Sequence, residues 1–181
     1  LDISNAKRVT EAGLMKIAGM KNVLRLNMLG IPVSDRALET LIASNHRWFD
    51  LDISQNAAVS DNSMRILAKH REDYGLNVSY TSVTDRGVEY IGKNCTYLGL
   101  SGNRKITDAA LEHVIANCPR IGKLQLAGTS ITKAGIIKLA KLKGLYSLDL
   151  GSRPGISEAE RQPIRDLLTK SGSKKIDLWG F

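Results

Sequence analysis

The chain has 181 residues, 43% of them apolar and 24% charged, with 26 Lys and Arg against 18 Asp and Glu for a formal net charge of +8. This composition is one domain's worth of globular material and excludes a low-complexity or disordered chain. No apolar run approaches the ~20 residues of a bilayer span, no charged-then-apolar leader is visible, and two cysteines are too few for a disulfide scaffold.

Along the chain, a short apolar alternation is followed each time by a Val or Ile, a hydroxyl residue and a charge. Leu1-Asp2-Ile3 leads to Val9-Thr10-Glu11, and Leu26-Asn27-Met28 leads to Val33-Ser34-Asp35. Leu51-Asp52-Ile53 precedes Val59-Ser60-Asp61, and Leu76-Asn77-Val78 precedes Val83-Thr84-Asp85. Then come Leu98-Gly99-Leu100 with Ile106-Thr107-Asp108, and Leu124-Gln125-Leu126 with Ile131-Thr132-Lys133. Leu148-Asp149-Leu150 with Ile156-Ser157-Glu158 and a longer helical pattern to Lys170 bring the chain to Ile176-Asp177-Leu178. The Val and Ile positions lie 24, 26, 24, 23, 25 and 25 residues apart. A period of that length implies a solenoid.

Each alternation has period two and reads as a half-buried strand. A helical pattern separates every pair, so the eight predicted strands stack as a parallel sheet. The hydroxyl column predicts helix caps at Thr10, Ser34, Ser60, Thr84, Thr107, Thr132 and Ser157, and the acid that follows suits the helix dipole, with Lys133 the exception. Asn56, Thr81, Asn103 and Thr129 are placed to bond backbone groups in the turns between strand and helix. Strands sit about 4.8 Å apart and helices about 10 Å across, so such a stack fans into an arc with the sheet inside.

The residues Cys118-Pro119-Arg120-Ile121-Gly122-Lys123-Leu124-Gln125-Leu126, with Ile131-Thr132-Lys133-Ala134-Gly135-Ile136 behind them, resemble the cysteine-containing subclass of leucine-rich repeats. Asn94-Cys95-Thr96 before Leu98-Gly99-Leu100 echoes the pattern one unit earlier, with each cysteine read in the same place of its unit. The resemblance covers essentially the whole chain. It implies an α/β fold, a right-handed β-α superhelix with a curved parallel sheet inside and short helices outside. Residues 1–181 are then one domain of about seven coils plus a terminal strand, with 152–181 a C-terminal cap-like coil and an N-terminal cap expected upstream. The subclass occurs in the substrate-binding half of F-box proteins and in bacterial effectors, and the mitochondrial ATP-synthase coupling factor B group is a smaller relative. Here cysteine is present in only two units, Thr81 and Thr129 replace the family's turn cysteine, and the chain contains no F-box segment.

Residues flanking and separating the apolar strand positions point away from the core. The predicted contact residues on that face are Arg25, Asn27, Asp50, Asp52, Asn77, Tyr97, Lys123, Gln125, Asp149, Asp177 and Trp179. A third solvent-facing row is expected at Ser54, Ser79 and Ser101. Leu100→Ala is accordingly expected to cost ~2–5 kcal/mol and Ser54→Ala almost nothing.

No catalytic cluster is legible, and no cofactor or metal is expected. His46, His70 and His113 fall on different units and read as ordinary outer-face histidines. Ser171-Gly172-Ser173-Lys174-Lys175 lacks the spacing of a phosphate loop. Asp50 and Asp52 read as solvated carboxylates, and Cys95 and Cys118 as buried free thiols of a reducing compartment. Residues 120–181 carry 12 Lys and Arg against 5 Asp and Glu, yet Lys138, Lys141, Lys143, Arg153, Lys174 and Lys175 lack the interleaved aromatics of a nucleic-acid surface. The expectation is a non-enzymatic, intracellular module binding a protein or peptide on the strand face, with no membrane, nucleic-acid or small-molecule partner. The alternative is an assembly factor acting through the basic C-terminal third, in the manner of coupling factor B.

Overall fold

A strand of three residues cannot hold itself in water, so each one here depends on its neighbours. In the computed structural model, which describes residues 1–6, 8–20, 22–44, 48–70, 72–152, 156–170 and 177–179, strands and helices alternate along the chain. They are α1 (Glu11–Ala18), β1 (Arg25–Asn27), α2 (Asp35–Ala43), β2 (Asp50–Asp52), α3 (Asp61–Leu67), β3 (Tyr74–Asn77) and α4 (Asp85–Val88). There follow β4 (Cys95–Gly99), α5 (Asp108–Asn117), β5 (Lys123–Gln125), α6 (Lys133–Lys138), β6 (Ser147–Asp149), α7 (Glu158–Lys170) and β7 (Asp177–Trp179). The fold is α/β, and its seven strands form one parallel sheet in chain order, β1 to β7. The first predicted strand is reduced to a single bridge between Asp2 and Asn27.

One leucine per strand lies in register with the next: Leu26, Leu51, Leu76, Leu98, Leu124, Leu148 and Leu178 are partners in turn, and Leu26 to Leu148 are buried. The second apolar column, Met28, Ile53, Val78, Leu100, Leu126 and Leu150, lies one residue past the strand ends and is equally buried. The helices close the core from the other side with residues such as Leu38, Met64, Leu111, Val114 and Ile136. Burying one such side chain contributes about 1.5–3 kcal/mol, and both neighbours must be present to cover it.

The last strand corrects the expected register. Leu178, not Ile176, pairs with Leu148, so Asp177 stands beside Ser147 and Trp179 beside Asp149. A two-residue slip keeps every side chain on its face, so an alternating pattern cannot distinguish the two registers.

The helix starts are joined by more than capping. Thr10, Ser34, Thr107 and Thr132 accept backbone N–H bonds from their own helices, as expected. Thr84 makes no such cap bond. The acids that follow the caps reach the next unit instead. Both oxygens of Asp61 accept from Thr84, from its N–H at 2.8 Å and its hydroxyl at 2.7 Å. Asp85 holds Thr107 in the same way at 2.7 and 2.6 Å, and Asp108 holds Thr132 at 2.8 and 2.6 Å. Earlier, Glu11 accepts from Ser34 and Asp35 from Ser63. Gly135 makes room for this ladder, since a Cβ there would stand 2.2 Å from Asp108 Oδ1. Lys133 ends it by pairing with Glu160, which also accepts from the N–H and hydroxyl of Ser157.

Candidate functional site

The side chains between the two apolar columns come to one face of the sheet, and the middle row has a structural duty first. Where the middle residue is a short Asp or Asn, it accepts from the N–H of the turn that ends its strand, two residues later; at β4, whose middle residue is Gly99, the Ser101 N–H donates to Ser79 instead. Asn27 accepts from Leu29 at 3.1 Å, Asp52 from Ser54 at 2.9 Å, Asn77 from Ser79 at 3.1 Å and Asp149 from Gly151 at 2.9 Å. The amides then link units: Asn27 donates to Asp2 at 3.0 Å and Asn77 to Asp52 at 2.8 Å. The expected third row is not a solvent row in the middle of the sheet. Ser54, Ser79 and Ser101 are buried, and the Ser54 hydroxyl donates to Asp52 Oδ1 at 2.5 Å. The chain is already turning toward the helix at these positions, which carries them off the pleat.

The first row behaves differently. Arg25, Asp50, Gly75, Tyr97 and Lys123 are neighbours in register. The Arg25 guanidinium lies over the Phe49 ring, 5.0 Å from its centroid, and the Lys123 ammonium lies over Tyr97 at 4.7 Å. Both cations are therefore engaged with aromatic faces. Among the described residues no hydrogen bond or ion pair reaches the Asp50 carboxylate, although it is half-buried. Loss of water pushes its pKa above the ordinary aspartate value and the charge of Asp52 adds to that, while Arg25 and Lys123 oppose it. Asp50, expected as a solvated carboxylate, is thus partly withdrawn from water.

Arg25, Asn27, Asp50, Asp52, Asn77 and Tyr97 line one hollow of about 350 Å³, with Leu1 at its rim. Tyr97 fits beside it because Gly75 has no Cβ, which would stand 3.1 Å from the ring. Its hydroxyl donates to Gln125 at 2.5 Å. Burial first, then the charges of Asp52, Asp50 and Asp149, push its pKa upward, so it stays a donor. Gln125, Lys123 and Asp149 continue the face beyond the hollow. Asp177 and Trp179 lie on β7, and their side chains fall outside the described residues, as do His46, Arg153, Lys174, Lys175 and the whole 171–175 segment. Phe49, 42% exposed, was missed; a large apolar residue just before a strand, with an arginine on the preceding strand one residue out of register, was the available signal.

The remaining chemistry is structural. His70 is no outer-face histidine: it stacks on buried Trp48 at 4.0 Å and meets Tyr74 edge-on. His113 Nε2 lies 2.8 Å from the Ile91 carbonyl. Cys95 and Cys118 are free and buried, and burial pushes the Cys118 thiol up to about 11. They are not equivalent positions, since Cys95 opens β4 while Cys118 is the residue that caps the end of α5. Among the described residues no helix is long and apolar enough to cross a membrane. No protein-family model matches the chain.

Proposed function

We propose that this chain is a non-catalytic recognition module of the leucine-rich-repeat type, a superhelical stack of the cysteine-containing subclass whose sheet face holds a protein or peptide. The observation that carries this reading is Asp50: a half-buried carboxylate with no hydrogen bond or ion pair among the described residues, set in an open hollow where Arg25 and Lys123 act on it only at a distance. A half-buried charge left unpaired costs stability and is worth keeping where something pairs with it. The partner contributes an Arg or Lys whose head meets Asp50 and whose aliphatic stem lies along Phe49 and Tyr97. In the larger protein this module selects a target, as in a ubiquitin-ligase adaptor or a bacterial effector. Two buried reduced thiols support a site of action inside a cell, the host's in the effector case.

The second reading, an assembly factor resembling coupling factor B and acting in mitochondria through the basic C-terminal third, has less behind it. Lys133 is answered by Glu160 and Lys138 by Glu112, which leaves Lys141 and Lys143 as exposed candidates among the described residues.

The test is partner capture from a cell extract with three proteins: wild type, Asp50→Lys, and the Lys141→Glu/Lys143→Glu pair. Asp50 is the clean choice because Asp52 is tied to the turn at Ser54. Loss with Asp50→Lys alone supports the sheet-face reading, and loss with the lysine pair alone transfers support to the second. Binding through Asp50 also weakens on acidification earlier than an ordinary aspartate contact does, because protonation begins at a higher pH.

A further inference from the structure

At the opposite end of the strands, the fourth residue after the first strand leucine is left-handed in unit after unit: Asn5, Gly30, Gln55, Tyr80, Gly102 and Gly128 have φ between 55 and 77°. Glycine enters that region freely and asparagine tolerates it, whereas a bulky aromatic there is strained. Tyr80 has φ 56° and is also the most exposed large apolar side chain among the described residues, at 60%. Its ring covers the next unit's Gly102, where a Cβ would stand 2.3 Å from Tyr80 Cδ1. The backbone is held there by the sheet ladder, the Tyr80 N–H donating to the Ser101 carbonyl at 2.7 Å. A strained, exposed aromatic adds little to folding, and strain of this kind gathers at functional surfaces.

Beside Tyr80 lies a second hollow of about 290 Å³, lined by Thr81, Ser82, Gly102, Asn103, Arg104 and Lys105, with Val83 behind. Its floor is fixed. Asn103 accepts from the Thr81 N–H at 2.7 Å and donates to the Val78 carbonyl at 2.9 Å, and the Thr81 hydroxyl donates to that same carbonyl. The Ser82 hydroxyl donates to Ala57. The uncommitted donors are therefore the side chains of Arg104 and Lys105, both exposed and in no ion pair among the described residues. No acid lines the hollow.

We infer that this hollow is a second docking site, separate from the sheet face, for an acidic protein segment bearing one aromatic side chain. The carboxylates meet Arg104 and Lys105, and the aromatic packs on Tyr80. A single-stranded nucleic acid suits it less well, since stacking successive bases needs a row of aromatic platforms and Tyr80 stands between Gln55 and Gly102.

The experiment titrates the ¹⁵N-labelled chain of residues 1–181 with a Glu-Glu-Phe-Glu-Glu peptide, with the same peptide carrying Ala for Phe, and with oligo-dT. Expected are saturable shifts centred on Tyr80–Ser82 and Gly102–Lys105, about fivefold weaker binding of the Ala peptide, and about tenfold weaker binding for Arg104→Glu. Tyr80→Gly should weaken Phe-peptide binding about fivefold and leave the melting temperature unchanged or higher, because strain relief offsets the lost ring contact. Shifts gathered around Lys141 and Lys143, or tighter binding of oligo-dT at this hollow, would overturn the inference. So would a Tyr80→Gly melting temperature lower by more than about 4 °C, since the ring would then be structural. Asp50→Lys plays no part in this result, so the sheet-face reading stands or falls separately.

Discussion

Two sets of aspartates serve opposite ends of each unit. At the helix starts, Asp61, Asp85 and Asp108 each give both oxygens to the threonine of the next unit. On the sheet face, Asp52 is committed to Ser54 and Asn77, while Asp50, two residues away, has no bond to any described residue. The difference lies in what the neighbouring unit places opposite. Asp61 faces a backbone N–H and a hydroxyl, whereas Asp50 faces Gly75 on one side and, on the other, an arginine drawn off to Phe49. A carboxylate column therefore reports adhesion between units where partners are present and availability to a ligand where they are not.

The sharpest way to break this contrast is to remove one acid from each set. Asp85→Ala leaves the N–H and hydroxyl of Thr107 without acceptors and is expected to cost about 1–3 kcal/mol. Asp50→Asn should fall within about 0.5 kcal/mol of wild type. Equal shifts in urea midpoint for the two variants would erase the distinction.

A smaller effect concerns Ser54. Its hydroxyl is buried against Asp52, so Ser54→Ala should cost about 1 kcal/mol, where the strand pattern by itself assigned it almost nothing. The measurement is the same denaturation curve. A null result there would return the third row to the solvent face.

The smallest effect lies where the ladder ends. Lys133 first, then Ser157, hold the Glu160 pKa down to about 2 from an ordinary 4.5. A lowered carboxylate pKa stabilises the folded state above the ordinary value, and that contribution is lost as pH falls from 4.5 toward 2. Carboxyl NMR titration should place the Glu160 midpoint near 2, and Lys133→Ala should raise it toward the ordinary value. The pair is exposed, so added salt should narrow the difference.

Much of this was legible from residue order. The apolar alternation located five of the seven strands within one residue at both ends, β3 and β4 starting two and three residues earlier, and the hydroxyl column marked where the helices begin. The turn residues Asn56, Thr81, Asn103 and Thr129 bond backbone groups as their position suggested. The face of Arg25, Asn27, Asp50, Asp52, Asn77 and Tyr97 was also legible, because period two assigns a side and all six share one hollow. What misled was the duty of each residue on that face: Asn27, Asp52 and Asn77 had to close their own strand ends before meeting anything else.

Residue order by itself determined the α/β alternation, the parallel stacking and the inward leucines, since these follow from local periodicity and from the lack of room for hairpins. The tertiary structure decided the register of β7, the burial of Ser54, the commitment of Asp61, Asp85 and Asp108 to the next unit, and the isolation of Asp50. Each of these depends on which atom stands opposite across a gap of some two dozen residues. A periodic pattern repeats the same residue types along the chain without specifying that atom.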